Sequence, residues 1–318
     1  MIRRRRAGSE PAATDLSSRV GSVELANPVM TAAGTAGHGD ELAAHLDLAA
    51  LGAVVVKSLH AGPWAGNPAP RLCPTPAGML NSVGLQGPGV EAWLHDDLPG
   101  LVATGARVVV SIWGRTVEEY EQAATMLADA PPQVVAVEVN VSCPNQHDGQ
   151  RMFAQSPSAT TEAVAATAGC GRPRWAKLTP AVADLASIAE AAERGGAEAV
   201  TLINTMPGLV IDVERRAPHL GAGPGGLSGP AIHPVAVRAV WETHRARPTL
   251  PIVGVGGVTN GEGAIELLLA GASAVQVGTA SFADPRAAGR VARDVEAWCR
   301  RHGVASVSEL VGAAHPAG

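Results

Sequence analysis

A chain of 318 residues with 46% hydrophobic content and a formal net charge of −5 can bury a substantial core, and it offers no general electrostatic case for nucleic acid or a membrane surface. Its longest apolar runs are too short to span a bilayer, and its length fits one large α/β domain or two ordinary ones. The four cysteines, Cys73, Cys143, Cys170 and Cys299, show no paired spacing, which argues against a disulfide framework or a thiolate metal site and places the chain in a reducing cytoplasm.

The basic run from Arg3 to Arg6 is followed by polar residues rather than the apolar stretch of a signal peptide, so residues 1–18 read as a disordered basic and polar tail. Residues 19–318 read as a single domain. A short strand over 28–34 ends in a tight turn at Gly34, a helix is expected over 40–51, and a second strand runs from Ala53 to Lys57. The Pro/Gly-rich stretch 61–89 shows no regular period and is long for a plain connection, which marks it as functional; it carries Asn81-Ser82-Val83-Gly84-Leu85.

From there strand and helix alternate: helix 90–103, strand 107–112, helix 116–129, strand 134–140, a loop to about 155, helix 158–168, strand 174–178, helix 182–194 and strand 198–203. A loop through Gly229, helix 233–246, strand 251–255, helix 261–270, strand 273–277 and helix 284–300 complete the chain. Near-continuous Val/Ile/Ala runs indicate parallel strands buried on both faces. Eight such units predict a (β/α)8 TIM barrel, with a doubly wound open sheet as the runner-up.

A barrel gathers its chemistry at the C-terminal strand ends. Gly34, Lys57, Asn140, Lys177 and Asn204-Thr205 fall there, as do the Gly-rich turns Gly256-Gly257 and Gly278-Thr279 after the last two strands, where barrels commonly bind phosphate through backbone N–H groups. No dinucleotide or triphosphate Gly motif appears. Of the 24 basic residues only Lys57 and Lys177 are lysines, so each is explained by position, and a ligand-facing role fits both. Asn81, Asn140, Asn145 and Asn204 could each be turn residues; aimed at one mouth, they form a donor and acceptor set suited to a flat heterocycle with imide-like edges. Cys143 could be an inert buried thiol. Its loop position and the lack of a His/Asp constellation favour proton transfer over acyl transfer.

Three segments carry a family resemblance: Asn140-Val141-Ser142-Cys143-Pro144-Asn145, Thr75-Pro76-Ala77-Gly78-Met79-Leu80-Asn81-Ser82-Val83-Gly84-Leu85-Gln86, and Gly225-Gly226-Leu227-Ser228-Gly229-Pro230-Ala231-Ile232. Together they resemble the class 1 dihydroorotate dehydrogenases, closest to the 1B subclass, over about residues 20 to 312. The resemblance implies an FMN-containing barrel that oxidises (S)-dihydroorotate to orotate in pyrimidine biosynthesis. It implies that Cys143 removes the C5 proton while hydride leaves C6 for flavin N5, and that Asn81, Asn140, Asn145, Asn204 and Thr205 hold the pyrimidine. Lys57 and the backbone of Val83, Gly84 and Leu85 would meet the substrate carboxylate. Ala33, Gly34, Lys57, Ser58, Ser111, Asn140, Lys177 and Ile203 would surround the flavin, with Lys177 at its N1/O2 edge. Gly229, Gly256, Gly257, Gly278 and Thr279 would approach the ribityl phosphate.

The resemblance also implies a homodimer, and a partner subunit carrying FAD and a [2Fe–2S] cluster that links the flavin to NAD; this chain has no cysteine spacing for such a cluster. Ala33 stands where the family usually has Ser, Ser111 where 1B members usually have Asn, and residues 146–151 depart from the usual 1B loop. The alternatives are a paralogous flavoprotein acting on another dihydropyrimidine, and a non-redox phosphate-binding barrel such as an isomerase or cyclase.

Overall fold

The computed structural model describes residues 14–143, 146–148 and 151–316. Eight strands form its central sheet: β1 (Val29–Thr31), β2 (Val54–Val55), β3 (Val108–Ile112), β4 (Val134–Asn140), β5 (Arg174–Leu178), β6 (Ala199–Leu202), β7 (Ile252–Val255) and β8 (Ala274–Val277). Neighbours run β1-β8-β7-β6-β5-β4-β3-β2, and each of these pairs is parallel. The ring closes between its first and last members, where Met30 bridges Ala53 and the Gly52 N–H donates to the Val29 carbonyl at 2.8 Å. The expected (β/α)8 barrel is therefore the observed fold, and the open sheet is excluded.

The strand sequences account for this closure. Val108, Val109, Val110 and Ile112 of β3 are all fully buried, because one side of each strand fills the barrel and the other packs under helices. Helices Val117–Thr125, Pro157–Ala166, Leu185–Arg194 and Gly261–Ala270 each start on a side chain that accepts a backbone N–H, namely Thr116, Ser156, Asp184 and Asn260. Inside the barrel, Met30, Val55, Val109, Trp175 and Val253 pack with Val20, Val23 and Leu25. The last three belong to the hairpin Ser18–Val20/Val23–Leu25, which plugs the N-terminal end and leaves the opposite mouth for the site.

Three regions differ from expectation. The helix over 40–51 reduces to the 3-10 turn Glu41–Ala44, and the Asp47 carboxylate accepts the Ala49 N–H, a local bond that competes with helical pairing. The aperiodic stretch 61–89 and the loop before Gly229 join into one antiparallel sheet across the barrel mouth, in the order Met206–Gly208, Gly225–Ser228, Gly78–Asn81, Leu72–Thr75. These strands are short and rich in Gly and Pro, so they lack a period-2 signature, and their register depends on partners far away in sequence. At the start of the chain, the span expected as tail overlaps ordered backbone: the Asp15 N–H donates to the Ala305 carbonyl at 2.8 Å, and Asp15 bridges Ser306. Residues 1–13 lie outside the described part. Among the described residues, no helix is long and apolar enough to cross a membrane.

Candidate active site

Along a strand, residues two apart face the same side, so Ala136, Glu138 and Asn140 of β4 climb the barrel interior from floor to mouth. Asn140 lines a cavity of ≈ 460 Å³ roofed by the four-stranded sheet. Its floor holds Asn140, Cys143 and Lys177, and the side after β1 and β2 holds Ala33, Gly34, Lys57 and Ser58. The roof supplies Asn81, Val83, Gly84 and Leu85, and the side after β6 supplies Ile203, Asn204 and Thr205. Gly229, Gly256, Gly257, Gly278 and Thr279 form the far end, after β7 and β8. Ser111 does not line the cavity. It is fully buried behind Ser58, with the two hydroxyls 2.8 Å apart. Asn145 lies outside the described residues.

Asn204, Asn140 and Ser58 form one hydrogen-bonded chain, and Asn81 is held separately from the roof. Asn204 Nδ2 donates to Asn140 Oδ1 at 3.0 Å, and Asn140 Nδ2 donates to Ser58 Oγ at 3.4 Å. Asn204 Oδ1 accepts the Thr205 N–H at 2.8 Å, which fixes the amide's orientation, and Asn81 Nδ2 donates to the Gly226 carbonyl at 3.2 Å. Each amide is held by a neighbour, so their free donors and acceptors are presented in fixed directions.

Cys143 is 1% exposed, and its thiol donates to the Asn140 carbonyl at 3.4 Å. Burial pushes the thiol up to about 12, while the neighbouring Tyr120 hydroxyl pulls it the other way. A thiol in this setting is protonated near neutral pH.

The two lysines differ. Lys57 is partly buried, and its ammonium is pushed down by burial first and by the nearby Arg71 charge second, so an incoming anion would relieve both. Lys177 is anchored from below: its Nζ lies 3.4 Å from Glu138 Oε1 and 3.5 Å from Gln276 Oε1. Among the described residues no Asp or Glu lines the cavity, so its two lysines face no anion of the protein within it. At Gly257, φ is +71° and a Cβ would meet the Gly229 carbonyl at 2.9 Å, so only glycine permits this close turn at the start of helix His233–Ala246. At Gly34 an added Cβ would meet no protein atom within 4 Å, so the space before it belongs to the cavity.

The comparisons with known proteins point the same way. A family profile described as dihydroorotate dehydrogenase matches residues 15–298, from before the plugging hairpin into the last helix. The chain belongs to the dihydroorotate dehydrogenase family. It is 50% identical over 300 residues to a Desulforudis audaxviator protein named dihydroorotate dehydrogenase B (NAD(+)), catalytic subunit, covering 94% of this chain and 97% of that relative. A protein of the same name from Geobacter sp. (strain M21) is 47% identical over 300 residues, covering 94% of this chain and 98% of the relative.

Two parts of this dihydroorotate dehydrogenase fold escaped the sequence reading. Glu138 sits inside an apolar strand two residues before Asn140, and that period-2 position was the available signal. Tyr120, the chain's single tyrosine, lies on helix Val117–Thr125 and reaches the Asn140 carbonyl with its hydroxyl at 2.7 Å. Nothing local in the sequence ties it to β4.

Proposed function

We propose that the chain binds FMN and oxidises (S)-dihydroorotate to orotate in pyrimidine biosynthesis. The observation that carries this reading is the meeting, in one cavity, of a thiol, three described asparagines, the chain's two lysines and two glycine turns, within a chain that belongs to the dihydroorotate dehydrogenase family. The wall chemistry fits FMN: the backbone cradles at Gly34 and Gly257 suit close approach, Gly256, Gly257, Gly278 and Thr279 suit a phosphate, and Lys177 suits the N1/O2 edge of the ring. When bound, FMN supplies the hydride acceptor.

The residues of the chain do the rest. Asn81, Asn140, Asn204 and Thr205 hold the pyrimidine edges, with Asn145 assigned to the same task. Lys57 and the backbone from Val83 to Leu85 meet the carboxylate. Cys143 takes the proton from C5, with the Tyr120 hydroxyl beside it opposing the burial that holds its thiol up. The mouth sheet excludes water above the reacting atoms. By its likeness to catalytic subunits of NAD(+)-linked enzymes, the chain passes its electrons to NAD through a partner subunit. The test is orotate formation by the FMN-loaded chain with a dye as acceptor. Turnover that rises on adding the electron-transfer subunit and NAD supports both halves of the proposal, and an FMN-loaded chain that forms no orotate with any acceptor contradicts it.

A further inference from the structure

Beneath Lys177 lies a carboxylate that the proposed chemistry does not use. Glu138 is fully buried in the barrel interior. Its Oε1 meets Lys177 Nζ at 3.4 Å, and its Oε2 accepts from Gln276 Nε2 at 2.8 Å and from Thr201 Oγ1 at 3.1 Å. Gln276 Oε1 also accepts from Lys177 Nζ at 3.5 Å. The four groups come from β4, β5, β6 and β8, so they form one polar layer between the apolar plug and the cavity floor.

Barrel layers are normally filled by branched apolar side chains, and burying a carboxylate is costly even when it is paired. A lysine needed only as a positive charge could reach the wet mouth without an acid behind it. The arrangement instead fixes the ammonium between two acceptors and sets a negative charge on its far side from the cavity. Lys177 lines the cavity and Glu138 does not, so a group on the floor feels the cation first and the anion at longer range.

We propose that Glu138 is a positioning residue that holds the Lys177 ammonium under the flavin ring and, by opposing its charge, sets the flavin reduction potential. This rests on the FMN reading above. Reduction places negative charge near N1 and O2, so net positive charge below the ring favours the reduced form. Gln276 and Thr201, both uncharged donors, hold the carboxylate in place through charge-assisted hydrogen bonds and leave the sign of the effect to the ion pair.

The test is the midpoint potential of bound FMN, measured by dye equilibration in three variants. Glu138→Gln keeps the shape and removes the opposing charge; the reduced-to-oxidised ratio at fixed potential should rise at least tenfold, about 30 mV for a two-electron couple. Lys177→Gln should move it in the opposite direction, because an anion then stands alone below the ring. The double variant, with both charges gone, should lie between the two singles. If Glu138→Gln does not fold, the double variant is compared with Lys177→Gln, and a higher potential in the double supports the inference. FMN retained with the wild-type potential in Glu138→Gln, or equal potentials in Lys177→Gln and the double, would overturn it and leave the FMN reading standing. A wild-type chain that takes up no FMN fails at an earlier step and removes both.

Discussion

The Tyr120 hydroxyl and the Cys143 thiol converge on one acceptor, the main-chain carbonyl of Asn140, at 2.7 and 3.4 Å. Tyr120 is fully buried behind the thiol, in edge contact with Phe153, so its hydroxyl has little freedom to leave. A hydroxyl there can turn to donate to a thiolate, and that bond would oppose the effect of burial on Cys143. Tyr120→Phe should therefore raise the pKa of the base. We expect flavin reduction near pH 8 to slow about tenfold for each unit of that rise, with the rate recovering at higher pH. The fold should lose about 1 kcal/mol, the worth of one buried hydrogen bond, readable by thermal melting. A slower rate with an unshifted pH profile would assign Tyr120 to packing alone.

The raised thiol gives Cys143 a distinctive pH signature. With its pKa displaced upward from the ordinary thiol value to about 12, the thiolate fraction grows throughout the neutral range. Single-turnover flavin reduction should climb with pH and still be rising above pH 8; a plateau reached below pH 7 would contradict the assignment. Cys143→Ala should keep FMN and lose roughly 100- to 10,000-fold in reduction rate, and Cys143→Ser should be slow with partial recovery at high pH.

In the proposed reaction Lys57 acts on binding rather than on chemistry. Burial and Arg71 lower its pKa, so the free enzyme loses the cation at a pH below the ordinary lysine range. The alkaline limb of kcat/KM should fall there, and the kcat profile should not share it, because the bound carboxylate restores the charge. Lys57→Ala should raise KM roughly 10- to 100-fold with FMN content intact. Loss of FMN together with substrate affinity would instead place Lys57 on the cofactor.

Lys177→Ala removes one partner of a buried ion pair and leaves the Glu138 carboxylate stranded. The cost should be about 3–5 kcal/mol of stability, with weaker FMN retention and a lower flavin potential. Full occupancy at an unchanged potential would refute its place beneath the ring.

The barrel was legible because Val, Ile and Ala runs buried on both faces leave few alternatives to parallel strands, and β4 and β5 fall at their expected boundaries. The residues singled out at the mouth were legible by rarity: two lysines in the chain, and amides at strand ends. Glu138 was not, because a single acid in an apolar strand does not announce its partners; Lys177, Thr201 and Gln276 are 39, 63 and 138 residues away in sequence. The mouth sheet was hidden for the same reason, since Asn81 finds its register on Gly226 only after the barrel brings them together. Ser111 shows the limit of reading by position: it lies on the expected strand, but Ser58 stands between it and the cavity.

The most direct test of the proposed activity is anaerobic mixing of the FMN-loaded chain with (S)-dihydroorotate, followed by flavin absorbance. The wild-type chain should bleach in a single turnover and release orotate in equal amount, and Cys143→Ala should hold the same FMN and bleach far more slowly. Flavin that stays oxidised in the wild-type chain, or a Cys143→Ala variant that bleaches at the wild-type rate, would contradict it.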